Sequence, residues 1–185
     1  RLGEIECAIG IEQLKKLPRL VKQRQDLANA LTNELSQLSH IKIPTVKDDR
    51  DHAYYVYPLI LDIDKIGITR ERICDALEAE GLSVMRRYQN IHLLPLYQKK
   101  IAFGKSGFPW NSEFCKRDVS YDKGICPNAE ELNEKSFIGI GMCVYDLSLE
   151  DIKLMGMAFK KVWKNLFLKM KIIFKMKFRS ESSKF

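Results

Sequence analysis

Apolar residues recur every three or four positions from the start of the chain: Leu2, Ile5, Ile9, Leu14, Leu17 and Val21. The spacing continues through Ala28, Leu31, Leu35 and Leu38. This period predicts an amphipathic helix over most of residues 1–40. Glu4, Glu12, Gln13, Lys15, Lys16 and Lys22 fall on its polar side, and Arg24 puts a charge on the stripe. Pro18 has no amide hydrogen, and its ring opposes the carbonyl four residues back, so a kink or short break is expected there.

Beyond Leu38 the pattern changes. Ile41 and Ile43 before Pro44 suggest a short edge strand. AYYVYPLILDI, residues 53–63, is aromatic and β-branched with apolar residues on both faces, which predicts a strand buried on two sides. Pro58 within it requires a bulge or an unpaired flank. A helix capped by Thr69 follows, with Ile73, Ala76 and Leu77 inward and Gly81 at its end, then a short strand over residues 82–85. From Arg86 to Lys123 the periodicity fades into an aromatic, basic, Gly- and Pro-containing loop, of a length that marks function or mobility. Pro127 opens another helix, and residues 137–145 form a second strand candidate. Ser148 with Asp151 resembles a capping box ahead of a last helix with Ile152, Met155, Phe159, Val162 and Leu166 inward. Strand and helix in this order predict an α+β chain whose small sheet is covered by helices.

Composition narrows the classes. The chain is 45% hydrophobic and 30% charged, ordinary for a soluble protein. Its net charge of +7 sits mostly in residues 166–185, whose six basic residues and one acid leave +2 for the rest, so nucleic-acid binding by the fold is not indicated. The five cysteines are odd in number, widely spaced and include no CxxC pair, which argues against a zinc or disulfide framework and fits a reducing cytoplasm. Cys7 and Cys74 fall within helical patterns and read as small core residues. The basic tail is too charged to span a membrane. No nucleotide-binding glycine loop, metal cluster or hydrolase signature is present.

One wording is more specific. Arg1, Glu4, Cys7-Ala8-Ile9-Gly10, Ile11, Gln13, Leu14 and the pair Lys15-Lys16 resemble the linking segment of the PLP-dependent sugar aminotransferases of the DegT/StrS type. The resemblance runs to about Leu166. It implies a C-terminal fragment of a fold-type I enzyme: residues 1–40 linking from a large domain, 41–166 a small α+β domain, and 167–185 a tail of uncertain structure. It also implies a homodimer, pyridoxal 5'-phosphate held mainly by the large domain, a nucleotide-linked keto-sugar as acceptor, and glutamate or glutamine as amino donor. Arg1 matches an arginine that reaches across the dimer toward cofactor phosphate or nucleotide-sugar. Tyr88, Ile91, His92, Pro95 and Tyr97 follow the family's aromatic-x-x-Leu-His-x-x-Pro-x-Tyr pattern, with Tyr88 one residue early.

Site candidates follow from chemistry and resemblance together. Arg86 and Arg87 suit a diphosphate because a guanidinium donates paired hydrogen bonds, and Tyr88 suits ring contact. His92 belongs to the substrate entrance of the family pattern; a surface histidine is the plainer reading. Trp110, in GFPWNSEFC, is either a stacking platform or a loop anchor, and anchoring is the commoner fate. The segment around it is longer than is usual for the family. His40 and His52 read as solvated. No lysine stands in the context of a Schiff-base residue, so the chain alone is expected to be inactive and no catalytic residue or metal ligand is assigned. The alternatives are a catalytically dead remnant, or a binding module whose basic tail lies on a membrane surface.

Overall fold

The computed structural model describes residues 2–144 and 146–181, with side chains through residue 166. Helix α1 spans Glu4–Leu35. It is followed by β1 (Ile41–Lys42), β2 (Tyr57–Leu61), α2 (Ile63–Ile66), α3 (Arg70–Ala79) and β3 (Val84–Met85). A 3-10 turn (Ile91–Leu93), α4 (Pro95–Gln98), α5 (Pro127–Glu131), a π-helical turn (Leu132–Ser136), β4 (Phe137–Ile140) and α6 (Leu149–Glu181) complete it.

The sheet is antiparallel throughout, in the order β1-β2-β4-β3. β4 sits between β2 and β3 and pairs antiparallel with each, so β2, α3 and β3 form a split strand–helix–strand unit. Directly opposed residues share a sheet face. The register Tyr57↔Ile140 and Leu59↔Ile138 therefore places four fully buried side chains together. They join Leu31 and Leu35 of α1, Ile73 and Leu77 of α3, and Ile152 and Phe159 of α6 in one core. β2 itself alternates buried and half-buried residues, so it is covered fully on one face and partly on the other, not on both as its composition suggests. β1 pairs only with Ile60 and Leu61, so Pro58 lies beyond its reach and has an unladdered flank.

α1 and α6 run in the same direction side by side. Gln23 reaches Asp146, Lys160 pairs with Glu34 at 2.5 Å, and the Trp163 indole donates to the Ser39 carbonyl at 2.9 Å. Gly156 permits this approach: a Cβ there would lie 2.7 Å from Glu34 Cβ. The start of α6 is fixed as its sequence implies. Ser148 N donates to Asp151 Oδ2 at 2.8 Å, and Asp151 N donates back to Ser148 Oγ at 3.2 Å.

Several expectations change. α1 is continuous through Pro18, with no second segment opening there. The residues around Pro18 are exposed, so water can serve the freed Leu14 carbonyl. The stripe predicted for α1 is buried only in its second half. Residues 2–9 and 11–19 are all exposed, and Cys7 is exposed with them, while Cys74 is fully buried. Thr69 occupies the N-cap of α3 without a side-chain cap bond. β4 ends at Ile140, well short of residue 145. His52 is not simply solvated: its Nδ1 accepts the Tyr54 amide at 2.8 Å, holding Tyr54 at φ 49°.

Candidate functional site

The predicted cluster at residues 86–92 leaves the sheet at the end of β3. Its four members meet different fates. Arg86 turns back on α3: Nη2 reaches Asp75 at 2.7 Å and Glu78 at 2.5 Å, and Nε reaches Glu78 at 3.1 Å. These carboxylates, Glu78 foremost, push its already high pKa higher. Its planar fork is thus occupied, and it ties the end of β3 to α3. Arg87 is exposed and has no ion pair or hydrogen bond among the described residues.

Tyr88 is held by its backbone. Its amide donates to Asn133 Oδ1 at 3.1 Å, and its ring tilts against Phe137 with centroids 5.7 Å apart. The ring is half-exposed, and partial desolvation together with neighbouring Tyr55 raises its hydroxyl pKa. Asn133 also donates to Asn90 Oδ1 at 2.7 Å, and its own carbonyl accepts from buried Arg70 at 2.7 Å. One asparagine therefore fixes the loop at two points.

His92 is buried rather than at the surface. Its Nε2 lies 2.9 Å from Glu130 Oε1. Glu130 also accepts the Gly124 amide at 2.8 and 3.0 Å and the Cys126 amide at 3.3 Å. The Gly124 amide, then His92 and the Cys126 amide, hold the Glu130 carboxyl below its usual range. An ionised carboxylate only accepts, so the proton on the contact belongs to His92 Nε2. The His92 carbonyl in turn accepts from Gln98 Nε2 at 2.8 Å, and the same nitrogen donates to the Tyr121 carbonyl at 2.7 Å.

The geometry thus brings Tyr88 and His92 onto one pinned loop with Arg87 exposed between the pins, and directs Arg86 elsewhere. Arg1 lies outside the described residues. Trp110 anchors: its Nε1 donates to the Tyr121 hydroxyl at 3.0 Å, and both rings pack near Tyr97. Sequence reasoning missed Glu130, Asn133 and Arg70. Nothing local to Asn133 or Arg70 distinguishes them from solvated helix residues. Glu130, one turn into a helix opened by Pro127, is the ordinary place for an acid serving free amides. Among the described residues no group of three or more His, Cys, Asp or Glu could hold a metal ion, and no helix is long and apolar enough to cross a membrane.

The model of the DegT/DnrJ/EryC1/StrS aminotransferase family matches residues 1–132. The chain is 32% identical over 120 residues to the spore coat polysaccharide biosynthesis protein SpsC of Bacillus subtilis, covering 63% of this chain and 30% of SpsC. It is 27% identical over 135 residues to the UDP-4-amino-4,6-dideoxy-N-acetyl-beta-L-altrosamine transaminase of Campylobacter jejuni, covering 73% and 34%. Among solved structures it superposes on Helicobacter pylori PseC, an aminotransferase involved in the biosynthesis of pseudoaminic acid, with a TM-score of 0.61 and 20% identity over 89% of this chain and 38% of that one. The chain spans about a third of the length of the curated relatives it matches.

Proposed function

This chain belongs to the DegT/DnrJ/EryC1/StrS aminotransferase family, and from that membership we propose that it is the C-terminal portion of an enzyme that aminates a nucleotide-linked keto-sugar. Glutamate or glutamine is the donor in this reading, and the working unit is a cytoplasmic homodimer. The observation that carries it is the family match over residues 1–132 on a fold shared with a sugar-pathway aminotransferase.

The family is dependent on pyridoxal 5'-phosphate, which supplies the electron sink for amino transfer. The described residues do not by themselves form its holder. That holder needs a shielded lysine amine to bond the cofactor carbon. Every lysine with a described side chain is exposed except Lys100, which is half-buried and paired with Asp118 at 3.0 Å. The cofactor is accordingly assigned to the part of the enzyme outside this segment, and residues 41–166 to the wall of the substrate site.

Within that wall, Arg87 is assigned to the substrate phosphates because its donors are uncommitted, and Tyr88 to a ring of the substrate. Arg86 and His92 are positioning residues: the first ties β3 to α3, the second braces the loop through Glu130. Arg1 remains assigned to a site across the dimer, and α1 to the link between domains.

The test uses the protein expressed from the complete reading frame. It is expected to purify with the visible absorbance of bound pyridoxal phosphate. It should release 2-oxoglutarate from glutamate when given a nucleotide-linked keto-sugar. Arg87→Ala is expected to raise KM for the sugar about tenfold with kcat nearly unchanged, the signature of lost ground-state binding. A protein that neither binds nor responds to added pyridoxal phosphate refutes the reading.

A further inference from the structure

The segment that carries Arg87 is clamped by one face of one helical run. Glu130 and Asn133 stand three residues apart along α5 and the π-helical turn that continues it, so their side chains project from the same side. Glu130 takes His92, and Asn133 takes Asn90 and the Tyr88 amide. The loop is thus held at alternate residues, running opposite to the helix, and Arg87 comes next in line.

The wide turn is what aims Asn133. In an α-helix the Asn133 carbonyl would accept the amide of residue 137. Here the Phe137 amide donates to the Leu132 carbonyl instead. The Asn133 carbonyl is left open, and buried Arg70 donates to it in a charge-assisted bond of 2.7 Å. Arg70 is itself fixed by Glu71, through Nε at 3.2 Å and Nη2 at 2.6 Å. The main chain of Asn133 is therefore tied to α3, and its side chain is left to face the loop.

The partners dictate the orientation of that side chain. A backbone N–H only donates, so Oδ1 must face Tyr88 N, which leaves Nδ2 for Asn90 Oδ1. The bond to Tyr88 N fixes the plane of the peptide joining Arg87 to Tyr88. On the other side, Arg86 is tied to α3 through Asp75 and Glu78. The Arg87 backbone is held from both sides while its guanidinium stays uncommitted. Ordering the backbone beforehand leaves less freedom to be lost when a ligand is gripped.

We infer that Asn133 is the positioning residue for Arg87, aimed by the π-helical turn. The inference rests on the reading of Arg87 as a substrate-phosphate residue given above.

Two readouts on the protein expressed from the complete reading frame test it. Asn133→Leu removes both side-chain bonds and keeps the carbonyl that Arg70 uses. Hydrogen–deuterium exchange at the Tyr88 amide, resolved by electron-transfer fragmentation, should become about tenfold faster, the scale of one hydrogen bond. Asn133→Asp keeps an acceptor for Tyr88, and Asn90 can turn its amide to donate to the carboxylate, so exchange there should stay near wild type. The Gly124 amide, held by Glu130, should exchange unchanged in both variants. With the keto-sugar, Asn133→Leu should raise KM about fivefold with kcat nearly unchanged, and should add nothing in an Arg87→Ala background. A Tyr88 amide that exchanges alike in wild type and Asn133→Leu overturns the clamp. If the Gly124 amide quickens equally, Asn133 merely supports the fold and the inference falls. The same rise in KM in both backgrounds overturns the link to Arg87. A wild-type enzyme without transaminase activity overturns the reading of Arg87 itself, while the exchange comparison needs no substrate and still decides the clamp.

Discussion

At the scale of single residues, Glu130 is where the loop and the fold meet. One carboxylate accepts from His92 and from two backbone amides, so replacing it removes three contacts together. Glu130→Gln keeps one carbonyl oxygen but loses the charge and the second acceptor. Residues 99–125 are expected to become cleavable by trypsin several-fold faster, with Lys116 and Arg117 as first sites and the sheet core still intact. Unchanged cleavage would mean that Gln98 and the aromatic contacts suffice alone. The pH dependence has a definite sign. The folded pKa of Glu130 lies below its ordinary value near 4.5. Its stabilisation is therefore fully present above about 4.5 and fades as pH falls from there through the folded value. Tryptic-type sensitivity probed with an acid-active protease should rise in that window. The cysteines give a second check. Burial pushes the Cys74 thiol up to about 11, while Cys7 and Cys143 are exposed. Since the thiolate is the nucleophile, a thiol-specific reagent should modify Cys7 and Cys143 first and Cys74 only on unfolding. Early labelling of Cys74, read by mass spectrometry, would contradict the packing of α3.

At the scale of elements, two helical glycines separate packing from propensity. A Cβ added to Gly10 in α1 would meet nothing within 4 Å, whereas one added to Gly156 in α6 would lie 2.7 Å from Glu34 Cβ and 2.8 Å from its Cγ. Alanine is intrinsically better than glycine in a helix by about 1 kcal/mol. Overpacking against an atom next to the backbone costs about 1–3 kcal/mol, and the nearer Glu34 atom here is its Cβ, so the clash wins. Gly156→Ala should lower the urea midpoint by a net loss of about 1 kcal/mol, while Gly10→Ala should raise helicity and leave the midpoint unmoved. Equal behaviour of the two would show that α1 and α6 do not meet where Glu34 and Lys160 indicate. The same helices mark what a sequence can convey. The Ser148–Asp151 cap is local chemistry three residues long, and it forms as written. The inward residues of α6 follow from period alone. Arg86 reads as a ligand-binding residue in sequence because its partners, Asp75 and Glu78, lie on a helix earlier in the chain and enter only through the tertiary fold. His92 reads as a loop residue from its sequence, but its burial depends on Glu130, 38 positions away. Pro18 misleads for the opposite reason: its local rule is sound, but exposure relieves the freed carbonyl.

At the scale of the whole molecule, the first half of α1 is an uncovered surface. Leu2, Ile5, Ile9, Ile11 and Leu14 are each more than half exposed, and Leu17 nearly so. A stretch of this length is marginal as a helix in water on its own. Glu4 and Glu6 in the first turn and the Glu12–Lys15 pair add only tenths of a kcal/mol each. Burying one such leucine or isoleucine fully is worth about 1.5–3 kcal/mol. The stripe therefore outweighs the local terms, and it is stable when something covers it. Under the proposed function that cover is the remainder of the enzyme and its dimer partner. The 185-residue chain studied by itself should then associate through the stripe. Ile9→Glu with Leu14→Glu places two charges on it and should shift sedimentation toward monomer. Both residues lie outside the core formed by Leu27, Leu31 and Leu35, so the urea midpoint of the body should hold within about 0.5 kcal/mol. If association persists in the double variant while the midpoint holds, the stripe is not the contact, and the assignment of α1 as the joining element falls with it.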